Sequence, residues 1–133
     1  MTTALTYFWI ALGGALGSVA RFWLSGFVVA RFGGAMWGTL FVNVTGSFLI
    51  GIFSALSETG GRLAETATLR QFLVVGICGG YTTFSAFSVQ TLDLMREGNW
   101  PATTGNVLGS VLACLVAVWL GHLLGVALRG PAA

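Results

Sequence analysis

With 133 residues, 56% of them hydrophobic and only 8% charged, the chain is far too apolar for a soluble globular domain, which carries about 25% charged residues. Its mean hydropathy of +0.88 places it in a bilayer. A net charge of +2, from six arginines against four acids, is too small to imply a nucleic-acid partner, and the length suits one domain.

Crossing the hydrocarbon core takes about 20 mainly apolar residues, and four segments qualify. The first spans about 5–29. It has no basic region ahead of "MTTALTYFWIALGG", so it is expected to remain as a helix rather than be removed as a leader. The second spans about 38–56, the third about 71–95 and the fourth about 101–128, with Pro101 at the first turn of the last. Most of the charge collects in the connections "RFGGAMW", "SETGGRLAETATLR" and "MREGNWP". Such short connections predict a single all-α, four-helix membrane unit over 1–133. Trp9, Trp37 and Trp100 fall near helix ends, where indoles favour the headgroup layer. Cys78 and Cys114 each sit in an apolar run and read as small packing side chains. The single histidine, His122, excludes a His-rich metal cluster and is expected near a helix end.

Orientation is undecided by charge. Four crossings place Arg62, Arg70 and Arg129 on one side and Arg31 and Arg96 on the other, joined by Arg21 if that residue is counted. An excess of basic residues normally sets orientation. This balance permits insertion both ways, and with it an antiparallel dimer. Gly13–Gly17, Gly34–Gly38, Gly105–Gly109 and Gly121–Gly125 have the G-x-x-x-G spacing that lets backbones approach, either within one chain or between copies.

Polar groups inside a span face a partner helix or a water-filled path. Asn43, in "GTLFVNVTGSFLIG", either hydrogen-bonds a neighbouring helix or offers its N–H donors to a permeating group. Arg21, the only charge within the first helix, either snorkels to the interface or forms the electropositive wall of a vestibule that attracts anions. Asn106, Ser110 and Cys114 recur at steps of four on one face of the last helix.

The third span contains "GGYTTFSAFS". Gly79 and Gly80 are poor helix residues, and the hydroxyls of Thr82, Thr83 and Ser85 bond local backbone, so the spacing predicts an unwound turn within 79–83. Broken helices at membrane depth persist where the freed backbone lines a cavity or is buried in protein. Freed carbonyls there suit cations, and half-helix N-termini suit anions. Phe84 and Phe87, three residues apart, share a face. They either fill space or present their electropositive ring edges to an anion.

Together "GGALGSVARFWLS", "WGTLFVNVTGSFLIG" and "GICGGYTTFSAFSVQTLDLM" resemble the Fluc (CrcB) family of fluoride channels, over nearly the whole chain. The resemblance implies a passive fluoride exporter of the cell inner or plasma membrane, assembled in the lipid bilayer as an antiparallel, dual-topology homodimer with two ion paths. It makes Phe84 and Phe87 the aromatic edges of the path and Asn43 its amide donor. Arg21 becomes the vestibule arginine, and Ser110 part of a hydroxyl track. The carbonyls of Gly79 and Thr82 from both subunits become the ligands of a structural sodium ion. The family often has threonine where this chain has Ala86, and commonly glutamate where it has Gln90. Some members have tyrosine at the position of Asn106 and serine at that of Cys114. These departures leave the phenylalanine pair and the sodium turn intact and bear on the rate and the second half of the path.

Two other classes fit four short helices. A dual-topology, proton-coupled multidrug exporter needs a carboxylate inside the membrane, yet Glu58, Glu65, Asp93 and Glu97 all lie at or near predicted helix ends. A non-transporting membrane subunit has no need of Asn43, an unwound turn and a hydroxyl face together. An enzyme is disfavoured because no Ser–His or metal constellation is present.

Overall fold

The computed structural model describes residues 3–58 and 67–129, so Arg62 and Glu65 lie outside the described residues. Among the described residues four helices are long and apolar enough to cross a membrane: Thr3–Phe32, Ala35–Leu56, Ala67–Arg96 and Trp100–Arg129. Among the described residues there is no strand. The chain is a multi-pass, all-α membrane protein.

The first helix, α1 (Thr3–Phe32), turns directly into α2 (Ala35–Leu56). The turn is made by Gly33 (φ 71°) and Gly34 (φ 74°), a left-handed backbone that a side chain would strain. The third span is composite. It starts as α3 (Ala67–Arg70), widens into a π-helical stretch over Gln71–Cys78, and tightens again as α4 (Gly79–Tyr81). Thr82 (φ −83°, ψ 158°) and Thr83 (φ −150°, ψ 106°) are extended, and α5 (Phe84–Arg96) follows. The last helix, α6 (Trp100–Arg129), completes the chain.

Two close helix pairings hold these spans together. α2 lies along α6, and α1 lies against the π-helical stretch and α4. In lipid, helix association depends on van der Waals contact and interhelical hydrogen bonds, because lipid tails are as apolar as the side chains. Close backbone approach is therefore decisive, and it falls at glycines. A Cβ on Gly51 or Gly121 would overlap a carbonyl oxygen of the facing helix, that of Val118 or of Phe48. A Cβ on Gly17 or Gly80 would likewise strike the carbonyl of Ile77 or of Gly14. Of the four glycine pairs with G-x-x-x-G spacing, Gly13–Gly17 and Gly121–Gly125 are thus used within the chain. Around Gly105 and Gly109 a Cβ would meet nothing within 4 Å. Trp9 adds an edge-on contact with Phe72, ring centroids 5.8 Å apart.

This arrangement corrects the reading of the double glycine. The unwound turn expected over 79–83 is confined to Thr82 and Thr83. Gly79 (φ −64°, ψ −37°) is helical, and Gly80 lies within α4. The missing side chain at Gly80 serves the approach to Gly14 rather than the loss of helix. His122 sits about two turns inside α6 rather than at its end.

At the far end of α2, Glu58 forms an ion pair with Arg129, the last residue of α6. The Arg129 hydrogen bond holds the Glu58 carboxyl below its ordinary range. A carboxyl depressed in the folded state stabilises the fold above its unfolded-state value and loses that contribution as the pH falls through its folded value. Thermal stability in detergent is therefore expected to decline below about pH 4.3, the ordinary glutamate value. Glu58→Gln should shrink that decline. An identical acid profile for the variant would show that the pair does not tie α2 to α6. The effect should be small because the carboxylate is solvent-exposed.

Candidate functional site

Asn43, on the third turn of α2, reaches the extended pair in the third span. Its Nδ2 donates to the Thr83 carbonyl at 3.0 Å, and its Oδ1 accepts the Thr83 N–H at 2.7 Å. The amide thus pairs with one residue's backbone as a neighbouring strand would. In an unbroken helix the Thr83 N–H would bond the carbonyl four residues back; Asn43 supplies an acceptor where the helix does not. One of the two Nδ2 hydrogens satisfies this pairing and the other is left for a second acceptor.

The restart of the helix is capped from the same place. The Ala86 N–H donates to Thr83 Oγ1 at 3.2 Å, and Thr83 Oγ1 lies 3.1 Å from Ser85 Oγ. Thr82 turns its N–H and its hydroxyl back to the Cys78 carbonyl, each at 3.0 Å. Further ties set the orientation of α4: Tyr81 Oη lies 2.8 Å from Thr45 Oγ1, and Ser18 Oγ donates to the Gly80 carbonyl at 3.4 Å.

These bonds have a consequence for Gly79 and Thr82. The donors that would reach their carbonyls in a continuous helix, the N–H groups of Thr83 and Ala86, are directed to Asn43 and to Thr83 Oγ1 instead. Both carbonyls are neutral, hard oxygen donors. Gly79 is exposed, and a Cβ there would meet only the Val74 carbonyl oxygen, at 3.9 Å. This donor set fits an alkali cation held by backbone oxygen. Among the described residues no cluster of three His, Cys, Asp or Glu side chains offers a transition-metal site.

Beside the extended pair lies a cavity of about 290 Å³ that brings together Asn43, Thr82, Phe84, Phe87 and Ser110, with Cys114 also on its wall. Among the described residues no acidic or basic side chain lines it. The rings of Phe84 and Phe87 stand 5.3 Å apart, tilted by 45°, and Phe84 is 77% exposed. Arg21 is elsewhere. It lines a separate cavity of about 280 Å³ with Ser18, Thr39, Thr83 and Ala86. The two spaces flank the extended pair, with Thr82 on one wall and Thr83 on the other. Gly79 lines neither.

The positions that depart from the resemblance can be placed as well. Ala86 borders the Arg21 cavity, not the space around the phenylalanines, so the missing hydroxyl is missing there. Gln90 donates from Nε2 to Thr39 Oγ1 at 2.8 Å, while its buried Oε1 has no donor among the described residues. Asn106 donates to Thr91 Oγ1 at 2.9 Å. Thr39, Ser47 and Thr91 were not legible as site residues. Only Ser47 carried a signal, lying one turn beyond Asn43 on the same helix face.

Residues 8–122 match the family described as CrcB-like protein, Camphor Resistance (CrcB). The chain belongs to the CrcB family. The fluoride-specific ion channel FluC of Opitutus terrae is 57% identical to this CrcB chain over 124 residues, covering 92% of the chain and 94% of that protein. The fluoride-specific ion channel FluC of Methylocella silvestris is 51% identical over 126 residues, 94% of this chain and 96% of its own. That of Rhodospirillum rubrum is 50% identical over 120 residues, 90% of this chain and 93% of its own.

Proposed function

We infer that this CrcB chain is a passive, selective fluoride channel that exports the ion from the cytoplasm across the cell inner or plasma membrane. It is a channel and not an enzyme. The observation that carries the reading is the identity of 57% to a protein named as a fluoride-specific ion channel, along nearly all of both chains. The chemistry of the cavity supports it. A conducting site must compensate an ion's lost hydration without trapping it, and several neutral donors do this better than one buried charge. Arg21, on the neighbouring cavity across Thr82 and Thr83, attracts the anion toward the path without lining the space beside the phenylalanines. The remaining Asn43 N–H, the Ser110 hydroxyl and the positive edges of Phe84 and Phe87 then replace its water.

The working unit is an antiparallel, dual-topology homodimer with two ion paths. The near-equal arginine counts on the two sides support it. So does the exposure of Phe84, at 77%, which leaves the path incomplete in one chain. The interruption at Thr82 and Thr83 lies near the membrane midplane in this reading. The carbonyls of Gly79 and Thr82, whose helical donors are directed elsewhere, would hold a structural sodium ion together with those of a second copy, and the ion would supply a fixed positive charge. A proton-coupled exporter is disfavoured, because among the described residues Glu58 and Glu97 lie outside the helices and Asp93 is exposed near the end of α5.

The test is efflux from liposomes holding only the purified protein, followed with a fluoride electrode and with chloride as the control. Fast fluoride release with little chloride movement is expected. Phe84→Ile and Phe87→Ile should each slow it at least about tenfold, because the ring edge is lost while an apolar side chain remains. Both variants should still elute as dimers. Unchanged flux in both would remove the aromatic edges from the mechanism, and silence of the unaltered protein would remove the channel.

A further inference from the structure

One polar chain in the fold is used neither by the helix ladders nor by the Asn43–Thr83 pairing. Ser110 Oγ, on the wall of the cavity, donates to Asn106 Oδ1 at 3.4 Å. Asn106 Nδ2 donates to Thr91 Oγ1 at 2.9 Å, and Thr91 Oγ1 donates to the Phe87 carbonyl at 2.7 Å. The hydrogens therefore run in one direction, away from the cavity. Asn106 is 6% exposed, Thr91 8% and Ser110 9%, so bulk water does not exchange with these groups freely.

The direction matters for an anion. With its proton given to Asn106, Ser110 shows the cavity only lone pairs, which repel a negative ion. An asparagine amide, however, is nearly symmetric in shape and opposite in hydrogen-bonding sense at its two ends. Turned by a half rotation about its last bond, Asn106 accepts the Thr91 hydroxyl proton at Oδ1 and donates from Nδ2 to Ser110 Oγ. Ser110 is then free to point its own proton into the cavity. The Phe87 carbonyl loses the Thr91 hydroxyl but keeps its helical N–H donor, so no buried backbone group is orphaned. The two orders contain nearly the same bonds. An anion in the cavity interacts favourably with only one of them, which is the condition for a ligand to shift a population.

We propose that Asn106 is a positioning residue whose amide reverses to turn Ser110 from acceptor to donor as the anion passes Phe84 and Phe87. The proposal rests on the channel reading and assigns a role to a position where the resemblance supplies none. Asn106 touches no permeating ion itself; it acts through Ser110, one helical turn further along α6.

The experiment is a double-mutant cycle read by fluoride efflux from liposomes, on protein that elutes as a single species. Ser110→Ala should slow efflux about tenfold, the scale of one charge-assisted hydrogen bond. Asn106→Leu should slow it similarly, because Ser110 then bonds its own helix backbone. In the Ser110→Ala background Asn106→Leu should add less than about a twofold change, since partners in one network are not additive. Asn106→Ala, which brings no new bulk, should repeat the pattern. Full efflux from Ser110→Ala, full efflux from both Asn106 variants, or independent losses that multiply would each overturn the proposal. No efflux from the unaltered protein would remove the channel reading first, and the proposal with it.

Discussion

Asn43→Leu is expected to silence fluoride efflux and to lower the thermal stability of the detergent-solubilised protein. The side chain is replaced at nearly equal volume, so the loss is one of hydrogen bonds rather than of packing. Two backbone groups of Thr83, a residue only 8% exposed, lose their partners at once. Orphaning a buried polar group costs about 1–3 kcal/mol, so a loss of roughly 2 kcal/mol or more is expected for the pair. Asn43→Asp separates the two bonds. A carboxylate still accepts the Thr83 N–H but cannot donate to its carbonyl, so its stability should fall between those of the other two proteins. Wild-type stability for Asn43→Leu would mean that the extended pair holds its shape without α2. Loss of flux at unchanged stability would make the asparagine a pure ion contact.

Gly121→Val should leave little folded protein at all. A side chain there occupies the space of the Phe48 carbonyl, and neither backbone can retreat without separating α2 from α6 along their length. Overpacking among side chains of a well-packed core costs about 1–3 kcal/mol, and here the obstacle is main chain, so the cost exceeds that range. The yield of monodisperse protein after detergent extraction measures it. Gly105→Ala in the same helix is the control for helix propensity, because a Cβ there meets nothing within the chain. Equal yields from Gly121→Val and Gly105→Ala would show that the α2–α6 pairing is looser than the glycine contacts require.

Much of the candidate site was legible in advance because its signals are local. Asn43 stands out as an amide inside an apolar run. The hydroxyls of Thr82 and Thr83 mark a backbone that bonds to itself. Phe84 and Phe87 share a face by spacing alone, and the structure places them on one cavity with Asn43, Thr82 and Ser110. Arg21, expected as the vestibule arginine, lines a second space across the extended pair from the phenylalanines. Its position depends on how α1 rotates against α4, which is set by Gly17 and Gly80 meeting backbone on the other helix. The π-helical stretch over Gln71–Cys78 left no mark in the residues, since "QFLVVGIC" suits any apolar helix.

By itself the sequence determined four apolar spans, short charged connections and a third span that carries its polar residues in its interior. Hydropathy and side-chain spacing are properties of one segment, and a bilayer demands them of each segment separately. The tertiary structure alone decided where that span leaves the helix. The two glycines read as marking the turn stay helical, Gly80 because its missing side chain lets α1 approach at Gly14, and Thr82 and Thr83 extend where Asn43 of another helix offers both a donor and an acceptor. A helical N–H or carbonyl in lipid cannot be left without a partner. The place where a helix opens is therefore fixed by where a neighbour supplies one, and residues forty positions apart meet only in the folded chain.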